Sequence, residues 1–139
     1  MKNLKKLMSN PDIIIDTNIF IAFRGGIEPF RSLIANAGRI YVPVIVLGEL
    51  LYGAHNSMQQ TKNREAIEIL LDSAFVIDID EKVASFYAEI RTALKKNGTP
   101  IPENDMWIAA ICKKLNLPLL TQDKHFEYIK GIDLVPIII

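Results

Sequence analysis

Short apolar runs alternate along the chain with longer stretches in which apolar residues recur every three or four positions. The short runs predict strands at residues 13–15, 39–42, 75–77, 119–121 and 134–138. Strands that alternate with helices are typical of a parallel sheet covered on both faces. The pattern therefore predicts an α/β fold of three layers, in which helices flank a central, mostly parallel sheet of four to five strands.

The longer stretches predict the helices that connect these strands. Thr17 and Asn18 supply a helix start, and Asp80 is placed to cap a helix that ends at residues 95–98. Residues 44–54 are rich in Val and Ile, but the length of this segment favours a buried helix over a strand. Further helices are predicted at residues 28–37, 61–71, 103–115 and 124–129.

Length and composition indicate one domain. The chain has 139 residues and is 50% hydrophobic, which is enough to bury the core of a single domain spanning residues 1–139. Residues 1–10 form a basic extension whose role the sequence leaves open. No apolar run approaches the roughly 20 residues of a membrane span. The single cysteine, Cys112, excludes an internal disulfide, fits a reducing cytoplasm and lies in an apolar pattern that favours a buried structural role.

Overall charge and histidine content narrow the possible functions. Basic and acidic residues balance at 16 each, which argues against a protein held to nucleic acid by its global charge. A local basic rim around an acidic centre remains compatible with that balance. The two histidines, His55 and His125, are predicted to have surface or structural roles, not to bind a metal.

Four carboxylates stand next to or inside apolar segments, where an ordinary core has no charge. Asp16 ends the run 13–15, and Asp123 follows residues 119–121 by two positions. In open parallel sheets ligands bind beyond the carboxyl ends of the strands, so we expect both at that edge. Asp105 and Glu49 share helix faces with apolar residues and are expected to point inward. The sequence therefore predicts one site built from four acids.

Each acid also has a simpler explanation when it is taken alone. Asp16 fits a helix cap, Asp105 complements a helix N-terminal dipole, and Asp123 suits a turn. Glu49 is harder to explain in this way, because a helix that is apolar on nearly all sides would leave it no solvated face. A single shared site accounts for all four together.

Electrostatic repulsion favours a metal ion at such a site. Two carboxylates about 5 Å apart repel by roughly 3 kcal/mol at an effective dielectric constant near 20. Four gathered together resist folding or take up protons unless a cation neutralises them. Oxygen ligands without a cysteine cluster favour Mg²⁺, or Mn²⁺ as a substitute, over Zn²⁺.

The segments around the acids resemble the motif blocks of PIN-domain nucleases. These blocks are Ile15-Asp16-Thr17-Asn18, Gly48-Glu49-Leu50, Asn104-Asp105-Met106-Trp107-Ile108-Ala109-Ala110 and Thr121-Gln122-Asp123-Lys124-His125-Phe126. Their order and spacing are most similar to the VapC type of toxin in bacterial and archaeal toxin–antitoxin pairs. The resemblance runs from about residue 11 to the C-terminus and leaves the extension 1–10 outside it.

The resemblance implies a PIN-like sheet whose carboxyl edge binds Mg²⁺ in an endoribonuclease that leaves a 5′-phosphate and a 3′-hydroxyl. Asp16 and Asp105 would chiefly hold the metal, Asp123 would complete its shell, and Glu49 would orient or deprotonate the attacking water. Two supporting residues match the family as well: Thr121 supplies a hydroxyl, and Asn18 orders the loop around the first acid.

Substrate and partners follow from the same resemblance. It implies an RNA substrate, a small antitoxin that packs in an apolar groove and blocks the site, and a homodimer. By sequence, the candidate phosphate contacts near the site are Arg24, Lys124 and the Lys113-Lys114 pair. The sequence does not choose among transfer, ribosomal and messenger RNA.

Two other functions stay open. An Asp-based phosphoryl-transfer or receiver domain would want a second Asp where Asn18 stands, or an acceptor after the third strand, where Asp78 and Asp80 are poor candidates. The chain could also be a PIN-like binding module without activity, in which the acids have no catalytic role.

Overall fold

Four parallel strands form the centre of the fold. The computed structural model of the protein describes residues 10–138. Its strands are β1 (Ile13–Ile15), β2 (Ile40–Pro43), β3 (Ala74–Ile77) and β4 (Leu119–Leu120). The sheet order is β3-β2-β1-β4, and every neighbouring pair is parallel. The predicted α/β class is confirmed, because helices connect the parallel strands as crossovers must.

Six helices and one 3₁₀ turn surround this sheet in the described residues. The helices are α1 (Thr17–Arg24), α2 (Phe30–Ala35), α3 (Val44–His55), α4 (Gln60–Ser73), α5 (Glu81–Lys96) and α6 (Glu103–Leu115). The 3₁₀ turn covers Lys124–Tyr128. The sequence predicts α6 with the observed bounds. The helix predicted at residues 28–37 is shorter, because Pro29 stands at its N-cap and Asn36 at its C-cap.

Strand β1, which leads directly into Asp16, lies in the middle of the buried core. β1 lies between β2 and β4, and its three isoleucines are buried. Phe126 of the 3₁₀ turn is also fully buried, so the segment that follows β4 is packed onto the fold. Cys112 is buried in α6, and burial raises the pKa of its thiol. That agrees with the predicted structural role of this cysteine.

Two sequence predictions are corrected by the fold. Residues 134–138 do not form a strand: Leu134 makes one isolated bridge to Leu119, and Pro136 lacks the N–H that a continuing ladder needs. Helix α3, expected to leave Glu49 no solvated face, is buried on one side only. It buries Val46, Leu50 and Ala54 and exposes Tyr52. None of the described helices is long and apolar enough to span a bilayer.

Candidate active site

Asp16 is the most deeply placed acid of the site. It follows β1 directly and caps α1, where its Oδ1 accepts a hydrogen bond of 2.8 Å from the Thr17 N–H. Its other oxygen, Oδ2, accepts one from the Thr121 hydroxyl at 2.7 Å and one from the Asn18 amide at 3.4 Å. The side chain is therefore buried and oriented by three donors. Asp16 is therefore both the N-cap of α1 and a member of the site.

Thr121 connects Asp16 with the end of β4. While its hydroxyl donates to Asp16, the same oxygen accepts a hydrogen bond of 2.9 Å from the Asp123 N–H. Asn18 makes a second connection, because its side-chain oxygen accepts from the Gln122 N–H at 3.1 Å and its carbonyl from the Gln122 amide at 3.4 Å. The carboxyl ends of β1 and β4 are thus joined by side chains from both. Gln122 is a supporting residue that sequence reasoning missed.

Asp105 reaches the same place from the first turn of α6. Its Oδ2 lies 3.4 Å from Nδ1 of His125, and the same nitrogen lies 2.9 Å from Oδ1 of Asp123. One ligand atom from each of these three residues lies within 4.8 Å of the other two. Sequence reasoning gave His125 a structural or surface role. The signal that could have placed it here is its position, two residues after Asp123.

Glu49 lies at the rim of the site and not in the interior. It is half-buried on α3, one turn before the exposed Tyr52, so the helix does have a solvated side on which it can stand. The pKa of Glu49 is nevertheless raised, first by partial burial and then by the charges of Asp16 and Asp105. Glu49 is therefore close enough to Asp16 and Asp105 to interact with them electrostatically.

Burial first, and then the charges of neighbouring carboxylates, raise the pKa values of Asp16 and Asp105. Burial, with a smaller contribution from Asp123, raises the pKa of Asp16 against the lowering effect of its hydrogen bonds. The pKa of Asp105 is raised to about 6, chiefly by burial and then by the charges of Asp123 and Asp16, although the contact with His125 lowers it. Strongly perturbed carboxyl groups of this kind are typical of functional sites.

The predicted phosphate contacts separate into two groups. Arg24 donates to Asn63 at 3.0 Å and lines the same cavity as Glu49, and Lys124 is exposed directly after Asp123. Lys113 and Lys114 lie in the last turn of α6, about 13 Å along the helix axis from Asp105. Lys114 forms an ion pair with Asp80, so the prediction that this lysine pair lies near the site is wrong.

The donor set fits a divalent cation. Asp105 and Asp123 lie together, and Asp16 and Glu49 are close enough to interact electrostatically with Asp105. In the described residues the His125 ring contacts both Asp105 and Asp123. The buried Thr17 hydroxyl, next to Asp16, lies near Glu49 and lowers the pKa of that carboxyl, although it makes no hydrogen bond of ordinary geometry in the described part of the chain. Carboxylate oxygens are the ligands that Mg²⁺ and Mn²⁺ prefer, and a bound cation would stabilise the charged carboxylates against both their burial and their mutual repulsion.

Comparison with known proteins agrees with this geometry. The PIN domain model matches residues 13–132. Ribonuclease VapC5 of Mycobacterium tuberculosis is 30% identical over 128 residues, which cover 90% of this chain and 93% of that protein. The tRNA(fMet)-specific endonuclease VapC of Salmonella typhimurium is 33% identical over 98 residues, which cover 70% of this chain and 74% of that protein.

A solved structure extends the comparison to the fold. VapBC2 from Rickettsia felis, in a crystal structure with a DNA fragment from its promoter, matches with a TM-score of 0.80 and 30% identity. The match covers 89% of this chain and 97% of that one. The chain therefore belongs to the PIN-domain family and, within it, to the VapC ribonucleases.

Proposed function

We propose that this chain is a metal-dependent endoribonuclease that acts as the toxin of a toxin–antitoxin pair. The observation that carries the proposal is the meeting of Asp16, Asp105, Asp123 and Glu49 beyond the carboxyl ends of β1 and β4. Because the family of the chain consists of nucleases, an acidic site at this edge supports cleavage of a phosphodiester better than a passive binding role.

The metal would be Mg²⁺, with Mn²⁺ as a substitute, and Asp16, Asp105 and Asp123 would hold it. A bound divalent cation supplies positive charge that polarises the phosphodiester and favours ionisation of the attacking water. Asp16 is kept in place for this role by the Thr121 hydroxyl and by Asn18. These two residues therefore position a ligand and do not touch the substrate.

Glu49 would act as the general base. It is the acid of the four that lies at the rim, and its raised pKa makes its carboxylate a better proton acceptor than an ordinary surface glutamate. It would take the proton of the water that attacks the phosphorus. The P–O3′ bond would then break, the leaving 3′-oxygen would take a proton from solvent water, and the products would be a 5′-phosphate and a 3′-hydroxyl.

RNA is the proposed substrate, with Arg24 and Lys124 as its phosphate contacts. Arg24 lines the cavity that contains Glu49, and Lys124 is exposed next to Asp123. The similarity to a relative named as a tRNA(fMet)-specific endonuclease makes transfer RNA the first substrate to test. The proposed location of the reaction is the cytoplasm.

Cleavage of purified RNA tests this function. The chain is incubated with total transfer RNA in Mg²⁺, in Mn²⁺ and in EDTA, beside Asp16→Asn and the control Asp72→Asn, which changes an exposed acid on α4. We expect metal-dependent cutting by the parent chain and the control only. Cutting that persists in EDTA or in Asp16→Asn would contradict the proposal, and so would failure of the folded, antitoxin-free chain to cut any cellular RNA.

We also propose that an antitoxin covers the apolar groove beside the site. Two cavities of about 280 Å³ and about 310 Å³ share Phe20 and Arg24 as lining residues. We call their combined surface the α1 groove; Ile21 lines the first cavity and Ile69 the second, and both side chains are largely exposed. Because Glu49 lies in the same lining, an apolar antitoxin segment in this groove would also block the site.

The solved VapBC relatives support an antitoxin partner. Co-expression with a candidate antitoxin should give a stable complex that lacks ribonuclease activity. Sedimentation of the purified chain at micromolar concentration tests the homodimer that the family resemblance implies. A stable monomer would contradict the proposed dimer without affecting the proposed chemistry.

A further inference from the structure

The imidazole ring of His125 lies among the acids of the site, and the proposed function gives it no role. Its Nδ1 lies 2.9 Å from Oδ1 of Asp123 and 3.4 Å from Oδ2 of Asp105. About half of its side chain is exposed, so the opposite ring nitrogen, Nε2, can face water. An imidazole nitrogen therefore sits between two of the carboxylates that would hold the cation.

The backbone holds His125 at this position. Its N–H donates to Oδ1 of Asp123 at 2.9 Å, and the next residue, Phe126, is fully buried. Together these contacts fix the first turn of the 3₁₀ segment next to Asp105. The position of the ring thus follows from the fold and does not depend on a long, mobile side chain.

The distances match those between ligands of a single ion. An octahedral ion with bonds of about 2.1 Å places neighbouring ligand atoms about 3.0 Å apart and opposite ones about 4.2 Å apart. The two contacts of Nδ1 are close to the first value, and all three donor atoms lie within 4.8 Å of one another. A cation can therefore bind Nδ1 and both carboxylates with only small shifts.

Asp16 has fewer lone pairs free to bind a metal than Asp105 has. A carboxylate offers about four lone-pair positions, and three donors already reach Asp16: the Thr17 N–H, the Thr121 hydroxyl and the Asn18 amide. By contrast, the hydrogen-bond partner of the Asp105 carboxylate in the described residues is the ring of His125. The side of the site formed by Asp105 and Asp123 is therefore where a further ligand matters most.

We propose that Nδ1 of His125 is a ligand of the bound cation and strengthens the binding of Mn²⁺ more than that of Mg²⁺. The inference rests on the metal site of the proposed function and adds a nitrogen donor to it. Mg²⁺ favours oxygen ligands and gains little from imidazole, whereas transition-metal ions bind nitrogen well. His125 is then a determinant of metal choice as well as a part of the site.

Pulsed electron paramagnetic resonance of Mn²⁺ tests the bond directly. The full chain is freed of metal with EDTA, dialysed and loaded with less than one equivalent of Mn²⁺. We expect a ¹⁴N modulation from the coordinated imidazole in the parent chain and in the control His55→Ala, which removes the exposed histidine at the end of α3. His125→Ala should lose this modulation. A spectrum without nitrogen coupling in the parent chain would refute the proposal.

Affinity measurements test the selectivity. Loss of His125 should raise the dissociation constant for Mn²⁺ by about tenfold or more, since even residues that support a ligand contribute about 10–100-fold. The dissociation constant for Mg²⁺, measured by competition with Mn²⁺, should change by less than about threefold. Equal weakening for both ions, or tighter binding of Mn²⁺ by His125→Ala, would contradict the assigned role.

The result is separable from that of the ribonuclease test. Nitrogen coupling without RNA cleavage would support His125 as a ligand and count against the proposed function. Cleavage without nitrogen coupling would support the function and count against His125 as a ligand.

Discussion

At the scale of single residues, Thr121 joins two parts of the site. One hydroxyl donates to the buried Asp16 and accepts from the backbone of Asp123. Its removal therefore takes away one of the three donors to a buried carboxylate and the hydrogen bond that holds the backbone of Asp123. A buried hydroxyl that hydrogen-bonds to two parts of the site can in this way affect both stability and activity.

Thr121→Val keeps the side-chain shape but removes both hydrogen bonds. We expect a loss of about 1–3 kcal/mol in the free energy of unfolding, the usual effect of a buried polar group without its partner. Metal affinity or cleavage should fall about 10–100-fold. Denaturant unfolding and RNA cleavage measure the two effects, with Thr121→Ser as the control that keeps the hydroxyl. Parent-like values for Thr121→Val would contradict this role.

The raised pKa of Asp105 predicts a pH dependence for the metal-free chain. Below about pH 4 this carboxyl is protonated in both states, so its contribution to stability is fully present. Between pH 4 and its folded pKa of about 6, the unfolded chain ionises first and that contribution is lost. The Asp105 carboxyl should therefore make the fold less stable as the pH rises through this window.

Asp105→Asn removes this effect. At pH 7 in EDTA the variant should be more stable than the parent chain by about 1–2 kcal/mol, a value reduced from the full linkage because the site is partly solvated. The advantage should vanish near pH 4, and Mg²⁺ should stabilise the parent chain more than the variant. Thermal unfolding across pH, with Asp72→Asn as the control, measures it. A variant less stable than the parent in EDTA at pH 7 would argue against mutual repulsion of the acids.

The residue scale also shows what sequence could and could not predict. Asp16 and Asp123 could be assigned to one edge because both follow strands of a parallel sheet. The burial of Glu49 was overestimated, because hydrophobicity along α3 does not reveal which side neighbouring elements cover. The contact of His125 with Asp105 was missed, since it depends on how a 3₁₀ turn packs against the start of α6.

At the scale of elements, α5 and α6 form an antiparallel pair that carries Asp105. Near one end, Lys114 forms an ion pair with Asp80, and farther along Tyr87 stacks on Trp107 with ring centroids 3.8 Å apart. Asp80 also caps α5 by accepting from the Val83 N–H at 2.9 Å. The receiver-like interpretation of this acid is thus replaced by a structural role.

Asp80→Ala should weaken this helix pair. Loss of the cap costs about 1 kcal/mol, and loss of the exposed ion pair adds little. Asp78→Ala changes a neighbouring exposed acid outside the cap and serves as the control. Chemical denaturation of both variants gives the comparison. Equal stability of the two variants would show that the cap does not contribute to the fold.

Helix prediction succeeded where the apolar period and the end signals agreed. Helix α6 has the predicted bounds because its apolar residues recur with helical spacing and Asn116 ends it in a left-handed conformation. The last apolar segment was predicted as a strand for its hydrophobicity alone. Strand formation also needs a partner edge, and here pairing stops after the bridge between Leu119 and Leu134.

At the scale of the whole molecule, a balanced net charge conceals an uneven distribution. The acids gather at one edge of the sheet, while Arg24 and Lys124 lie beside them. The α1 groove begins at the same edge and exposes apolar side chains. The molecule therefore presents a place for a phosphate chain and a place for an apolar partner next to each other.

Ile69→Glu tests the groove at this scale. The side chain is 70% exposed and lines the α1 groove, so a charge there should change the stability of the free chain little. In the complex the new carboxylate would be buried without a partner, which should weaken the affinity for the antitoxin at least about tenfold. Met58→Glu alters a fully exposed side chain outside the groove and is the matched control. Binding is measured by calorimetry. Equal affinities for the two variants would place the antitoxin elsewhere.

The bond between Thr121 and Asp16 spans 105 positions of the chain. Synthesis on the ribosome proceeds from the N-terminus at about 5–20 residues per second, so Asp16 emerges seconds before the residues that orient it. The acids of β1 and α3 are present early, but they have neither Asp105 nor Asp123 beside them until most of the chain has been made. The four acids of a nascent chain therefore cannot form one complete site until residue 123 has left the ribosome.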